Sequence, residues 1–302
     1  MRKNSLMFAA SCAAVMAVLS SACSSKEDEL PPMTEIITAA TTTAAETTTV
    51  PETTTVPETT TVLEPLVVRD SMQSFVDENP DSAGWITVGG TSIDTIVMHT
   101  DNNDKYLDHD YYGNSSQAGT VFADFRCVVN DYDFNQSDNI VLYGHNQADG
   151  TMFGTLQKYK ITKQNTSKFD FYLQHPTFTF SNLYEEYTYK IIALFVCEVE
   201  PYQSPDGNVF DYHNYIIFGS KERTYEEFMQ NVEERSQIIT GVDVCKDDKF
   251  LTLSTCSNEF EPSRFVVIGR RVRDGESPEV DTSQAKLNPN AKEPDWNYIY
   301  NN

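Results

Sequence analysis

Phe250-Leu251-Thr252-Leu253-Ser254-Thr255-Cys256 is a β-prone run that ends on a thiol, and Arg264-Phe265-Val266-Val267-Ile268 opens a second run eight residues after that thiol. Two strands joined by a short loop put a sulfur at the end of one and a guanidinium at the start of the next. A thiol beside a fixed positive charge ionises more easily, and the thiolate is the nucleophilic form. Alternation along the first strand sends Leu251 and Leu253 one way and Thr252, Ser254 and Cys256 the other. Cys256 is therefore expected on a polar, cleft-lining face. Arg264 shares a face with Val266 and Ile268, so its stem should lie among apolar neighbours and its head beside the thiol. Upstream, Asn139-Ile140-Val141-Leu142-Tyr143 reads as a buried strand running into Gly144-His145-Asn146. That places an imidazole at a third strand end and makes Cys256, His145 and Arg264 the candidate reactive set.

Six further segments have strand character: Trp85–Val88, Thr95–Met98, Thr120–Ala123, Thr177–Phe180, Tyr187–Val199 and Phe265–Val272. Clusters of Gly, Asn, Asp and Pro separate them. With the two strands that carry His145 and Cys256, these make about eight short strands, which points to a closed barrel or a sandwich. Two helices are expected. One spans Asp70 to Asn79 and is stopped by Pro80. The other starts on the capping box Thr224-Tyr225-Glu226-Glu227 and continues through Phe228, Val232 and Arg235 to Ile239. Because it precedes the Cys-bearing strand, this second helix is expected to border the site.

The chain has 302 residues, enough for one to two domains. Residues 24–68 contain almost nothing that could form a core, and Thr41 to Val62 repeats Thr-Thr-Thr-Val-Pro-Glu. Such a segment stays hydrated and extended and reads as a stalk. The folded domain is expected over residues 69–273, followed by a polar, loosely held tail over 274–302 in which Trp296, Tyr298 and Tyr300 could dock. A net charge of −23 argues strongly against nucleic acid as a partner, because a phosphate backbone needs a basic face.

Arg2 and Lys3, then the apolar run from Leu6 to Leu19, read as an export signal too short to span a membrane comfortably. Leu19-Ser20-Ser21-Ala22-Cys23 resembles a bacterial lipobox, with Ser20 where Leu is usual, and this implies lipidation of Cys23. A lipid anchor or an uncleaved signal anchor would each hold the protein on the outer face of the cytoplasmic membrane. Of six cysteines, Cys12 and Cys23 fall in the signal; Cys127, Cys197, Cys245 and Cys256 lack paired spacing. They suggest neither a disulfide framework nor a structural metal site. Cys197, inside an apolar run, is expected to be a core residue. His99, His109, His175 and His213 read as surface or turn residues. The stretch from Asp101 to Asp110 reads as a solvated loop, since it lacks the sixth-position Gly and final Glu of a calcium-binding EF-hand loop.

Leu251-Thr252-Leu253-Ser254-Thr255-Cys256 followed by Arg264 resembles the catalytic signature of the sortases, class B in particular. Tyr143-Gly144-His145-Asn146 with Met152-Phe153-Gly154 is similar to the His-bearing segment of that class. Trp85-Ile86, Tyr106-Leu107 and Gly119-Thr120-Val121-Phe122 also fall where class B members have similar motifs. The resemblance runs from Asp70 to Val272. It implies a mainly β fold: a closed eight-stranded barrel with a short N-terminal helix, a helix before the Cys-bearing strand, and no cofactor.

The resemblance also implies that Cys256 attacks the carbonyl of a sorting motif near the C-terminus of an exported protein and forms a thioester. An amine from a peptidoglycan precursor or a pilin lysine would then resolve it. His145 would serve as acid and base, Arg264 would hold the developing oxyanion, and Tyr143, Ser254 and Thr255 would line the substrate groove. With ordinary pKa values of about 8.5 for Cys and 6.5 for His, the neutral pair would predominate at neutral pH. Two features depart from the class: the lipobox-like signal with its stalk, and the tail after Val272. Two other readings remain: a surface-displayed binding module on the same barrel without turnover, and net hydrolysis of the thioester. The intact Cys, His and Arg argue against the binding module.

Overall fold

A computed structural model describes residues 63–219 and 223–301 of the chain. The export signal, Cys23 and the stalk up to residue 62 lie outside the described residues. The barrel strands are β1 (Ser82–Val88), β2 (Asp94–Met98), β3 (Phe122–Ala123), β4 (Asn139–Tyr143), β5 (Thr177–Asn182) and β6 (Glu186–Glu198). After β7 (Ile238–Ile239) come β8 (Phe250–Cys256) and β9 (Ser263–Arg271), and β10 (Lys286–Leu287) lies near the C-terminus. Eight of these close a barrel in the order β1-β2-β3-β4-β8-β9-β6-β5, while β7 and β10 form a separate two-stranded sheet. Each of the eight strand-like segments read from the sequence lies in or overlaps a barrel strand.

The pairing around β8 positions the site. β4 and β8 run parallel, with Tyr143 opposite Ser254, so both strands end at the same rim. Parallel strands buried on both faces read as continuous apolar runs, and Ile140, Val141, Leu142, Leu251 and Leu253 are all buried. β9 returns antiparallel from that rim, which sets Arg264 opposite Cys256. Three strand ends distant in sequence therefore meet at one place.

Helix α1 (Asp70–Glu78) is where the sequence puts it. α2 (Phe169–Gln174) was not foreseen; α3 spans Tyr225–Arg235 and α4 Trp296–Asn301. Thr224 caps α3 through its hydroxyl, which accepts from the Glu227 N–H at 3.1 Å. The helix stops four residues short of Ile239, because Ile238 and Ile239 leave it to pair with β10. Nor does α3 border the Cys-bearing rim. Phe228 packs against Phe250 at the opposite end of β8, with ring centroids 5.6 Å apart.

Two further expectations are corrected. Thr252 and Ser254 share the face of Cys256 but are buried, because Asn139 on β4 and Tyr212 from the connection between β6 and α3 meet their hydroxyls. Thr252 Oγ1 donates to Asn139 Oδ1 (2.9 Å), and the Ser254 and Tyr212 hydroxyls lie 2.6 Å apart. Only Cys256, at the strand tip, emerges from under this cover. The tail is not loosely held either. Glu276 pairs with Lys190 and with Arg270, which is fully buried, and Lys292 N–H donates to the Glu234 carbonyl (2.7 Å). Ordered contacts also begin before residue 69, since the Tyr132 hydroxyl donates to the Glu64 carbonyl (2.8 Å).

Candidate active site

Cys256 is half-buried at the end of β8, and an Arg264 Nη1 lies 3.8 Å from its sulfur. The same nitrogen donates to the Ser263 carbonyl (3.1 Å), which fixes the direction of the guanidinium. The backbone at the thiol is held from the other side. The Cys256 carbonyl accepts from Asn146 Nδ2 (2.9 Å) and Gln157 Nε2 (3.0 Å). Asn146 is the neighbour of His145, so one hydrogen bond ties the histidine loop to the cysteine strand.

His145 follows β4 by two residues. The Gly144 N–H carries the β4–β8 ladder one step further by donating to the Ser254 carbonyl (3.2 Å). Gly144 is required there for space: a Cβ would lie 2.7 Å from the Phe153 ring beneath it. His145 Nε2 sits 2.8 Å from the Leu107 carbonyl. A carbonyl can only accept, so Nε2 is assigned the proton, and Nδ1 is left as the nitrogen that gains or loses one.

Cys256, His145 and Arg264 line one cleft of about 230 Å³, whose apolar walls include Leu107, Phe122 and Tyr143. Ser254 and Thr255 form its floor, both almost wholly buried. Ser254 is tied to Tyr212, whereas Thr255 Oγ1 has no hydrogen-bond partner among the described residues. A second cavity of about 340 Å³ adjoins the first, shares Asn103, Tyr143 and Arg264 with it, and is lined also by Asp124, Arg126 and His213. Sequence reasoning gave no role to Asn103, Asp124, Asn146, Gln157 or Tyr212. It also took the loop from Asp101 to Asp110 as merely solvated, yet Asn103 and Leu107 reach the cleft from it. His213, read as a surface or turn residue, lines the second cavity, and burial lowers its pKa so that it stays neutral.

Asp124 anchors the cleft wall. Burial works to raise the pKa of its carboxyl, but hydrogen bonds from Arg126 and Tyr143 outweigh this and hold it below the usual carboxylate range. Arg126 donates through Nε and Nη2, both at 2.8 Å, and the Tyr143 hydroxyl donates at 2.9 Å. Burial, with the Asp124 charge beside it, pushes the Tyr143 phenol far above its ordinary value, and burial does the same to Tyr212. Both stay neutral. Burial also pushes the thiols of Cys127 and Cys197 up to about 12, which leaves them inert. No group of three His, Cys, Asp or Glu suited to a metal ion occurs among the described residues.

No family model matches the chain. Sortase B of Listeria monocytogenes is 33% identical to it over 208 residues, 68% of this chain and 75% of the relative. The structure of a Staphylococcus aureus sortase B–substrate complex superposes with a TM-score of 0.56 at 27% identity, covering 68% of this chain and 86% of that one. A sortase B complexed with triglycine superposes with the same TM-score, identity and coverage. One-third identity sustained over two-thirds of the chain, on the same closed barrel, goes well beyond a shared fold: the chain belongs to the sortase B family of transpeptidases.

Proposed function

We propose that this protein is a cysteine transpeptidase acting through Cys256, His145 and Arg264 on the outer face of the cytoplasmic membrane. The observation that carries the reading is the last rung of the β8–β9 ladder, where the guanidinium lies 3.8 Å from the sulfur in a cleft that His145 also lines. The Cys256 thiolate attacks the carbonyl of a peptide lying in the cleft; an S–C bond forms and the carbonyl oxygen becomes an oxyanion. Arg264 stabilises that charge through the guanidinium it holds beside the sulfur. His145 gives its proton to the departing amine as the peptide C–N bond breaks, leaving a thioester. An incoming amine then attacks the thioester, His145 takes its proton, a new C–N bond forms, and the thiolate leaves.

Tyr143, Ser254 and Thr255 lie along the groove that would receive the peptide. The substrate complex of the Staphylococcus aureus relative and the triglycine complex support a peptide donor and an amine acceptor. The donor is an exported protein with a C-terminal sorting motif, and the acceptor is an amine of a peptidoglycan precursor or a pilin lysine. The N-terminal signal, with Cys23 as the lipidated residue, would hold the domain at the membrane where these substrates emerge.

A library of sorting-type peptides, offered with and without triglycine and read by intact mass, tests the proposal. An adduct on Cys256 and a triglycine-dependent product are expected, and Cys256→Ala should abolish both. Cleavage that survives in the Ala variant would sink the assignment of the nucleophile. Cleavage with no amine-dependent product would mean hydrolysis.

A further inference from the structure

Only the loop from Ser257 to Pro262 separates β8 from β9, and the last rung of that ladder is the pair Cys256–Arg264. A terminal rung opens easily unless the turn beyond it is held. This turn is held from two sides. From the connection between β4 and α2, Lys160 Nζ donates to the Ser257 carbonyl (2.8 Å) and pairs with the Glu259 carboxylate (2.5 Å). The Ser257 and Ser263 hydroxyls, 2.6 Å apart, close the neck. From the C-terminus, α4 lies against the same loop. Trp296 meets Phe260 edge-on, with ring centroids 5.7 Å apart and planes at 76°. The Tyr300 hydroxyl donates to the Glu259 carbonyl (2.7 Å). Trp296 is fixed in turn: its Nε1 donates to Glu293 (3.0 Å), whose other oxygen accepts the Lys163 N–H (2.8 Å).

We infer that the C-terminal segment clamps the Cys–Arg loop, and that Trp296 and Tyr300 are positioning residues for the acyl transfer proposed above, on which this inference rests. Neither residue lines the cleft, so both act through the loop. The segment also lies past Val272, where the resemblance to the sortase signature ends. Catalysis of this kind is sensitive to small displacements: a misplacement of about 1 Å can cost about 100-fold in rate. The clamp can be altered without dismantling the rest of the tail, because Glu276 and β10 anchor that part separately.

The test uses the full chain carrying Trp296→Ala, Trp296→Phe or Tyr300→Phe. Alkylation by iodoacetamide is followed peptide by peptide, with exposed Cys245 as the internal reference. Cleavage kinetics use the best peptide from the library. Trp296→Ala is expected to slow alkylation at Cys256 but not at Cys245, and to lower kcat at least about tenfold. Its KM should stay within about twofold, because Leu107, Phe122 and Tyr143, the apolar walls of the groove, lie outside the clamped loop. Trp296→Phe should restore most of kcat. Tyr300→Phe, which keeps the ring and cannot endanger the fold in the same way, should cost about fivefold, the worth of one neutral hydrogen bond. Parallel changes at both cysteines, or a wild-type kcat in Trp296→Ala or Tyr300→Phe, would overturn the clamp. Failure of the acyl-transfer reading looks different: the wild type would cleave no peptide, while the alkylation comparison would still report on the loop.

Discussion

Replacing Glu276 by Gln is expected to destabilise the barrel out of proportion to its place in an acidic tail. Arg270, on β9, has a fully buried side chain. Glu276 meets it with both carboxylate oxygens, one of them 2.8 Å from Nη2, and the same carboxylate takes Lys190 Nζ at 2.6 Å. The other carboxylate near Arg270 belongs to Asp243, 3.6 Å away and 73% exposed. Removing one partner of a buried pair costs about 3–5 kcal/mol, because the remaining charge stays desolvated. Gln keeps one acceptor oxygen and Asp243 remains, so the lower end, about 3 kcal/mol, is expected. For a domain of this size that corresponds to a fall in Tm of about 6–12 °C.

The pH dependence has a definite sign. The hydrogen bond from Arg270, supported by Lys190, holds the Glu276 carboxyl far below the usual carboxylate range. A carboxyl with a depressed folded-state pKa contributes stability that is present above its unfolded pKa, about 4.3, and is lost as pH falls below it. The gap between wild type and Glu276→Gln should therefore be widest at neutral pH and narrow progressively in acid. Urea unfolding followed by tryptophan fluorescence at pH 7 and pH 3 measures both. A variant within about 1 kcal/mol of wild type at pH 7, or a gap that does not narrow in acid, would refute the idea that the tail neutralises a buried charge.

Thr224→Ala should cost about 1 kcal/mol in urea unfolding, the worth of an N-cap, and leave peptide cleavage unchanged, since α3 packs at the far end of β8. Asp124→Asn removes the carboxylate that holds Arg126 and Tyr143; a loss of about 3 kcal/mol is expected, again present above the unfolded Asp pKa of about 3.9 and lost in acid. Arg264→Lys keeps the charge but not the planar guanidinium, so kcat/KM should fall at least about 100-fold with little change in Tm. In native protein, iodoacetamide should label Cys256 and Cys245 but spare Cys127 and Cys197 until denaturant is added, because burial keeps those two thiols protonated up to about 12.

Much of this protein is written locally. Strand after strand is legible because alternation and turn residues act over a few positions, and the Thr224 cap is legible because its hydrogen bond spans three residues. Cys256, His145 and Arg264, which the structure brings to one cleft, could be picked out as candidates because each stands at one end of an apolar run.

What stayed hidden depends on contacts between residues far apart in the chain. The polar face of β8 looked exposed because Thr252 and Ser254 carry hydroxyls, and nothing nearby announces that Tyr212 and Asn139 arrive to satisfy them. Asn146 and Gln157 fix the Cys256 carbonyl from about a hundred positions away. The tail looked loose because its composition is polar, yet its Glu276 is the counter-charge for a buried arginine and lysine on strands it follows in sequence. Composition and alternation decide which segments become strands. Only closure of the barrel, with β4 and β8 parallel and β9 returning beside them, decides that the thiol, imidazole and guanidinium share one rim, because pairing partners are chosen by long-range burial and ladder geometry that no local window contains.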